Sequence, residues 1–141
     1  DKSTDVAADT DSLAEADCFY SAVTVNSGKI TSCAIDASMS NVNFDATGAV
    51  TSDTSAEVQT KQELKETYGM KEESSKSGIG KEWYEQANAF AKYVTGKTLD
   101  EVKGIKVSDQ GTPSDSDLSS SVTIHIAPFT GVIEKAVSNA E

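Results

Sequence analysis

Apolar and polar positions alternate most clearly in "FYSAVTVNSGKITSCAIDA", residues 19–37. Two β-rich runs flank Asn26-Ser27-Gly28, residue types that tolerate positive φ, so the pattern predicts a hairpin. A weaker copy follows in "VNFDATGAVTS", where Gly48-Ala49-Val50-Thr51-Ser52 echoes Gly28-Lys29-Ile30-Thr31-Ser32. Tandem hairpins forming one antiparallel sheet account for both copies.

Beyond residue 56 the period changes. Residues 57–68 predict a short helix with Val58, Leu64 and Tyr68 as sparse apolar points and Gly69 as its stop. The polar loop "KEESSKSGIG" leads into "KEWYEQANAFAKYVTG", where Trp83, Ala87, Phe90 and Val94 recur at helical spacing and Gly96 ends the run. "TLDEVKGI" adds a short helix in which Thr98 and Glu101 make a capping box and Leu99 and Val102 turn inward. "KVSDQGTPSDSDLSSS" has no period and reads as a long loop. "VTIHIAPF" reads as a short strand or extended segment stopped by Pro128. "FTGVIEKAVSNA" closes as a helix with Val132, Ile133, Ala136 and Val137 inward. Sheet first and helices after predict an α+β fold, an antiparallel hairpin sheet packed against a few helices.

Length sets one domain of 141 residues, enough to bury roughly 68% of the unfolded surface. The net charge of −11 excludes nucleic acid as a partner, because little would displace counterions from phosphates. It also excludes charge-driven docking on anionic lipid. Residues 1–17 hold six acids against one lysine, a net of −5. That segment is expected to be a flexible acidic tether, with the domain over 18–141. A chain opening on Asp1 is expected to have lost a leader. No run approaches the ~18 apolar residues of a membrane-spanning helix.

Cys18 and Cys33 are the two cysteines. With Ser27 and Gly28 as the turn, Cys33 falls opposite Ala22 and Cys18 opposite Ala37. An offset of four residues is about 13 Å, beyond the roughly 7 Å reach of a disulfide. Two reduced, partly buried thiols are expected. No metal site is expected either, since His125 is the sole histidine and no CxxC spacing occurs.

Catalytic chemistry finds little support. His125 stands in "TIHIA" without a nucleophile elbow or an orienting carboxylate. The acid pairs Glu72 with Glu73 and Asp115 with Asp117 lie in solvated loops, and "SDSDLSSS" lacks the spacing of a calcium loop. If an anion binds, the place is Gly78–Gly80 at the entrance to the Trp83 helix, where free amides and the helix dipole point outward.

Three stretches carry a resemblance: "GKITSCAID", then "ESSKSGIGKEW" running through "TGKTLDEV", then "DLSSSVTIH" before the last helix. Their order over residues 19–140 resembles the FMN-binding domain family of redox-pump subunits and bacterial surface lipoproteins. That family attaches FMN phosphate to the threonine of a Ser-Gly-Ala-Thr loop. By this likeness Asp117 is the leading acid, Ser120 the serine and Thr123 the attachment residue, while Gly78 and Gly80 belong to the glycine loop before the helix. Ser121 replaces the family's glycine, Val122 its alanine, and His125 a hydroxyl residue. Ser121 and Val122 remove the freedom that lets backbone amides close on a phosphate, no arginine stands nearby, and Asp115 and Asp117 repel it.

The reading is an exported, lipid-anchored surface protein with an FMN-binding-like domain and a binding or interaction role rather than catalysis. It is expected to carry no cofactor and to touch the membrane only through its anchor. The alternative is an FMN-carrying electron-transfer module built on Asp117, Ser120, Ser121, Thr123, Gly78 and Gly80.

Overall fold

A computed structural model describes residues 3–4, 10–72 and 78–140. The chain forms an α+β fold in which one long hairpin is covered on one face by helices. Strand β1 (Ser12–Asn26) pairs antiparallel with β2 (Lys29–Phe44). Ser27 and Gly28 form the two-residue turn at φ 50° and 76°, the doubly positive pair that matches the right-handed twist of a hairpin.

The register shifts by one between Thr24 and Val25, where Thr24 opposes Ser32 but Val25 opposes Ile30. Thr31 is the extra residue, and the Thr24 hydroxyl lies 2.7 Å from that of Thr31 and 2.8 Å from that of Ser32. This bulge corrects the expected pairing: Cys33 opposes Val23 and Cys18 opposes Ser38. Paired residues share a face and neighbours alternate, so the two cysteines point to opposite sides of the ribbon. Both are free thiols, Cys18 exposed and Cys33 half-buried.

Burial pushes the Cys33 thiol up to about 11 from 9.0. A brief alkylation near neutral pH is expected to modify Cys18 alone, with Cys33 reacting only after denaturation. Peptide mapping by mass spectrometry checks this, and rapid labelling of Cys33 in the folded protein would refute it. The folded state holds the Cys33 proton more tightly than the unfolded chain does. Its contribution to stability is therefore full below pH 9 and declines as pH rises toward 11.

The ribbon is longer than the sequence pattern suggests. Residues 12–17, assigned above to the acidic tether, lie in β1 opposite residues 39–44. Thr4 and Leu13 bond to each other, and the Leu13–Glu15 edge also takes the Ser3 hydroxyl. Backbone pairing explains this: a strand end needs hydrogen-bond partners more than apolar side chains. The rest of the tether lies largely outside the described residues. The second hairpin shrinks to a bridge between Phe44 and Val50. Its turn is held by the Asp45 carboxylate, which accepts from the Thr47 hydroxyl and from the Thr47 and Ala49 amides. Those bonds, the Thr47 hydroxyl foremost, lower the Asp45 pKa.

Helix α1 (Lys61–Leu64) begins at a Thr60–Glu63 capping box and continues into a 3-10 turn over Lys65–Tyr68, which Gly69 ends at φ 75°. Helix α2 (Trp83–Val94) buries Trp83, Ala87, Phe90 and Val94 as its period predicts. Helix α3 (Leu99–Lys103) carries the expected Thr98–Glu101 box and buries Val102. One turn, α4 (Ser116–Ser119), interrupts the long loop. Helix α5 (Ala127–Ser138) ends the fold.

α2 packs on β2 and α5 on β1. The free edge of β2 is covered near its start, where Ile30 bonds to Gly96 and Lys97, and again past its middle, where Ser38 bridges Thr60. The strand expected over residues 122–128 does not form. Pro128 sits instead in the first turn of α5, where its missing N–H costs no helical bond. That shift places Phe129 in the core, 1% exposed. Its ring centroid lies 5.5 Å from Phe90, 5.6 Å from Trp83 and 6.2 Å from Phe19.

Candidate functional site

A cleft of about 390 Å³ opens where the ribbon, the 3-10 turn and the starts of α2 and α5 converge. Phe19 and Met39 reach it from the ribbon, Tyr68 and Met70 from the turn, and Trp83 and Phe129 from the helices. Ile124, His125 and Pro128 form the remaining rim. Each position follows from local structure. Phe19 and Met39 stand on the inward face of the ribbon, and left-handed Gly69 turns the chain between Tyr68 and Met70.

Glu82 fixes the turn to the helix. It is 2% exposed, and its carboxylate accepts from the Met70 and Lys71 amides, each at 2.9 Å. A buried carboxylate is tolerable here because it has two amide donors and stands at the positive end of α2. The Glu85 carboxylate in turn accepts from the Glu82 amide.

Beside the cleft lies Lys61, 8% exposed. Its Nζ sits 5.0 Å from the Tyr68 ring centroid, 5.6 Å from Trp83 and 5.9 Å from Phe19. Among the described residues no carboxylate pairs with it.

The residues singled out from the sequence divide between two places. Gly78 and Gly80 take φ of 65° and 64°, and a Cβ on Gly78 would stand 3.7 Å from Thr123 Oγ1. The glycine loop and the threonine loop therefore touch, although 45 residues (123 − 78) separate them. Gln86 joins them. Fully buried, it accepts from the Thr123 amide at 2.8 Å and hydroxyl at 3.3 Å, and donates to the Lys81 carbonyl.

Asp117 and Ser121 border a different depression with Ala89, Lys92 and Tyr93. Ser120 is exposed and its hydroxyl donates to the Asp117 carbonyl. Asp115 caps α4 by accepting from the Asp117 amide.

These surroundings do not fit a phosphate esterified to Thr123. Its amide and hydroxyl are both directed at Gln86 Oε1, an acceptor that would oppose phosphate oxygens. Val122 is fully buried in the core and pins the preceding backbone. The chain has no arginine anywhere.

His125 is exposed, and its ring packs so closely on Gly111 that a Cβ there would overlap it. Among the described residues no side chain bonds to the imidazole, so it lacks the orienting partner a general base requires. No group of three or more His, Cys, Asp or Glu could hold a metal ion among the described residues. No helix there is long and apolar enough to cross a membrane.

Sequence reasoning missed the aromatic cleft. Phe129 opens the last helix in the sequence pattern without being counted among its inward residues, and Lys61 reads as a surface residue of a short polar helix. No family model, no curated protein and no solved structure matches this chain.

Proposed function

We propose that this chain is a non-enzymatic binding domain, displayed outside the cell on a lipid anchor, that keeps an FMN-binding-like layout without a covalent flavin. One observation carries the binding role: the Phe19–Trp83–Phe129 cleft is an open concavity walled by aromatic and thioether side chains, the composition of small-ligand seats. The surface location rests on the resemblance to surface lipoproteins and on the acidic opening stretch. Labelling of intact cells with an impermeant reagent tests it, and protection until lysis would overturn it.

The binding role is tested with anilinonaphthalenesulfonate, a fluorescent probe of apolar clefts. One probe per folded chain is expected, lost in Met39→Asp, which sets a carboxylate against the probe's sulfonate in the cleft. No binding by folded protein would refute the role.

The flavin-carrying alternative is favoured by one contact, that of Gly78 with Thr123. Coexpression with a flavin transferase in an exporting host, followed by intact mass, separates the two readings. The expected result is the unmodified mass. An FMN-sized increment that disappears in Thr123→Val would establish the redox reading.

A further inference from the structure

The three rings around Lys61 form a box whose occupant is the chain's own ammonium. We propose that this box is a seat for a small quaternary ammonium ligand, with Lys61 as an internal plug that the ligand displaces. This rests on the binding role proposed for the adjoining cleft and names its ligand class.

The rings of Tyr68, Trp83 and Phe19 stand 5.0, 5.6 and 5.9 Å from Lys61 Nζ, within the ~6 Å over which ring faces attract a cation. A lysine ammonium nevertheless suits the box poorly. It has three N–H donors to satisfy, and among the described residues it has neither a hydrogen-bond acceptor nor a carboxylate partner. Its Nζ is not among the unpartnered side-chain atoms sealed from solvent, so water alone satisfies those donors. A trimethylammonium group has the same charge, no N–H donors and methyl groups that pack on ring faces. The box therefore matches that group better than the side chain now in it.

The same three rings also line the open cleft, so a ligand has a route and room for its remaining atoms. The net charge of −11 favours a cationic ligand over an anionic one. Displacement needs only a side-chain rotation, because the backbone around Lys61 is anchored. Thr60 and Glu63 cap α1. The Gln62 amide bonds to Asp36 at 3.1 Å, and its side chain bonds to the Ile35 carbonyl at 2.9 Å.

A plug that is mostly in place lowers the apparent affinity by the fraction of time it is out. Removing it should then tighten binding. The test titrates choline chloride into purified protein, reading the fluorescence of Trp83, the only tryptophan, with sodium chloride as control. Lys61→Ala is expected to bind choline at least about tenfold more tightly than the unaltered chain. Equal or weaker affinity in Lys61→Ala would overturn the plug.

A second measurement needs no variant. Acetylation of the unaltered chain, mapped by mass spectrometry, should find Lys61 slow to react and accelerated by saturating choline. An unchanged rate would refute displacement. If choline binds neither protein while anilinonaphthalenesulfonate still binds one per chain, the ammonium seat falls and the binding role stands.

Discussion

Phe129→Ala is expected to cost about 3–5 kcal/mol of folding stability, the range for emptying a buried aromatic site. The ring is 1% exposed and lies within 5.5–6.2 Å, centroid to centroid, of Phe90, Trp83 and Phe19. Those neighbours come from α2 and β1, so the ring joins the ribbon to both long helices. Trimming it leaves a cavity that none of the three can fill without leaving its own element. Edge-on geometry adds to simple burial, since such aromatic pairs contribute about 0.5–1.5 kcal/mol beyond area. Trp83→Ala should fall in the same range. The double variant should lose less than the sum of the two, because the rings touch. Denaturant melts at unchanged slope check this, with Val58→Ala, 46% exposed, as a control expected within about 0.5 kcal/mol. A loss below about 1 kcal/mol for Phe129→Ala would mean that the ring does not hold the layers together.

The same residue shows why part of the fold was hidden. α2 is legible because Trp83, Ala87, Phe90 and Val94 keep a helical period over three turns. α5 is legible from Phe129 onward but not in its first two residues, Ala127 and Pro128. Upstream, "VTIHIAPF" mixes β-branched residues with a proline, and either a strand stop or a helix start satisfies that pattern. The tertiary need to bury Phe129 and Ile126 selects the helix start. The hairpin turn is legible from Ser27-Gly28, but the bulge at Thr31 is not, because its hydroxyl network uses residues that suit any strand. Residues 12–17 carry too few apolar side chains to announce a strand and are ordered by pairing with β2.

The candidate site divides the same way. The glycine loop and the threonine loop are each visible along the chain, yet nothing along it says that Gly78 meets Thr123. Val122 was read as bulk beside a phosphate, whereas it fills the core one helical turn after Leu118. Lys61 was invisible as a site residue, since burial of a lysine among rings depends on three segments meeting in space.

Gln86→Leu is the variant that tests how the two loops are joined. The side chain is fully buried and serves the Thr123 amide, the Thr123 hydroxyl and the Lys81 carbonyl. Leucine keeps most of the volume but removes every one of those bonds. The Thr123 amide and the Lys81 carbonyl then lose this partner, and each group left unsatisfied costs about 1–3 kcal/mol. A loss of about 2–5 kcal/mol is expected on that basis. The effect should also be local: with the amide of Thr123 released, hydrogen exchange at Thr123 should rise well above that of the α2 core. Gln86→Glu is a sharper control. It can still accept from Thr123 but cannot donate to Lys81, and it places a carboxylate in a fully buried position. Its stability should therefore improve as pH falls and the carboxylate takes up a proton that can reach the Lys81 carbonyl. If Gln86→Leu melts like the unaltered chain and exchange at Thr123 is unmoved, the two loops are held by packing at Val122 and not by the glutamine.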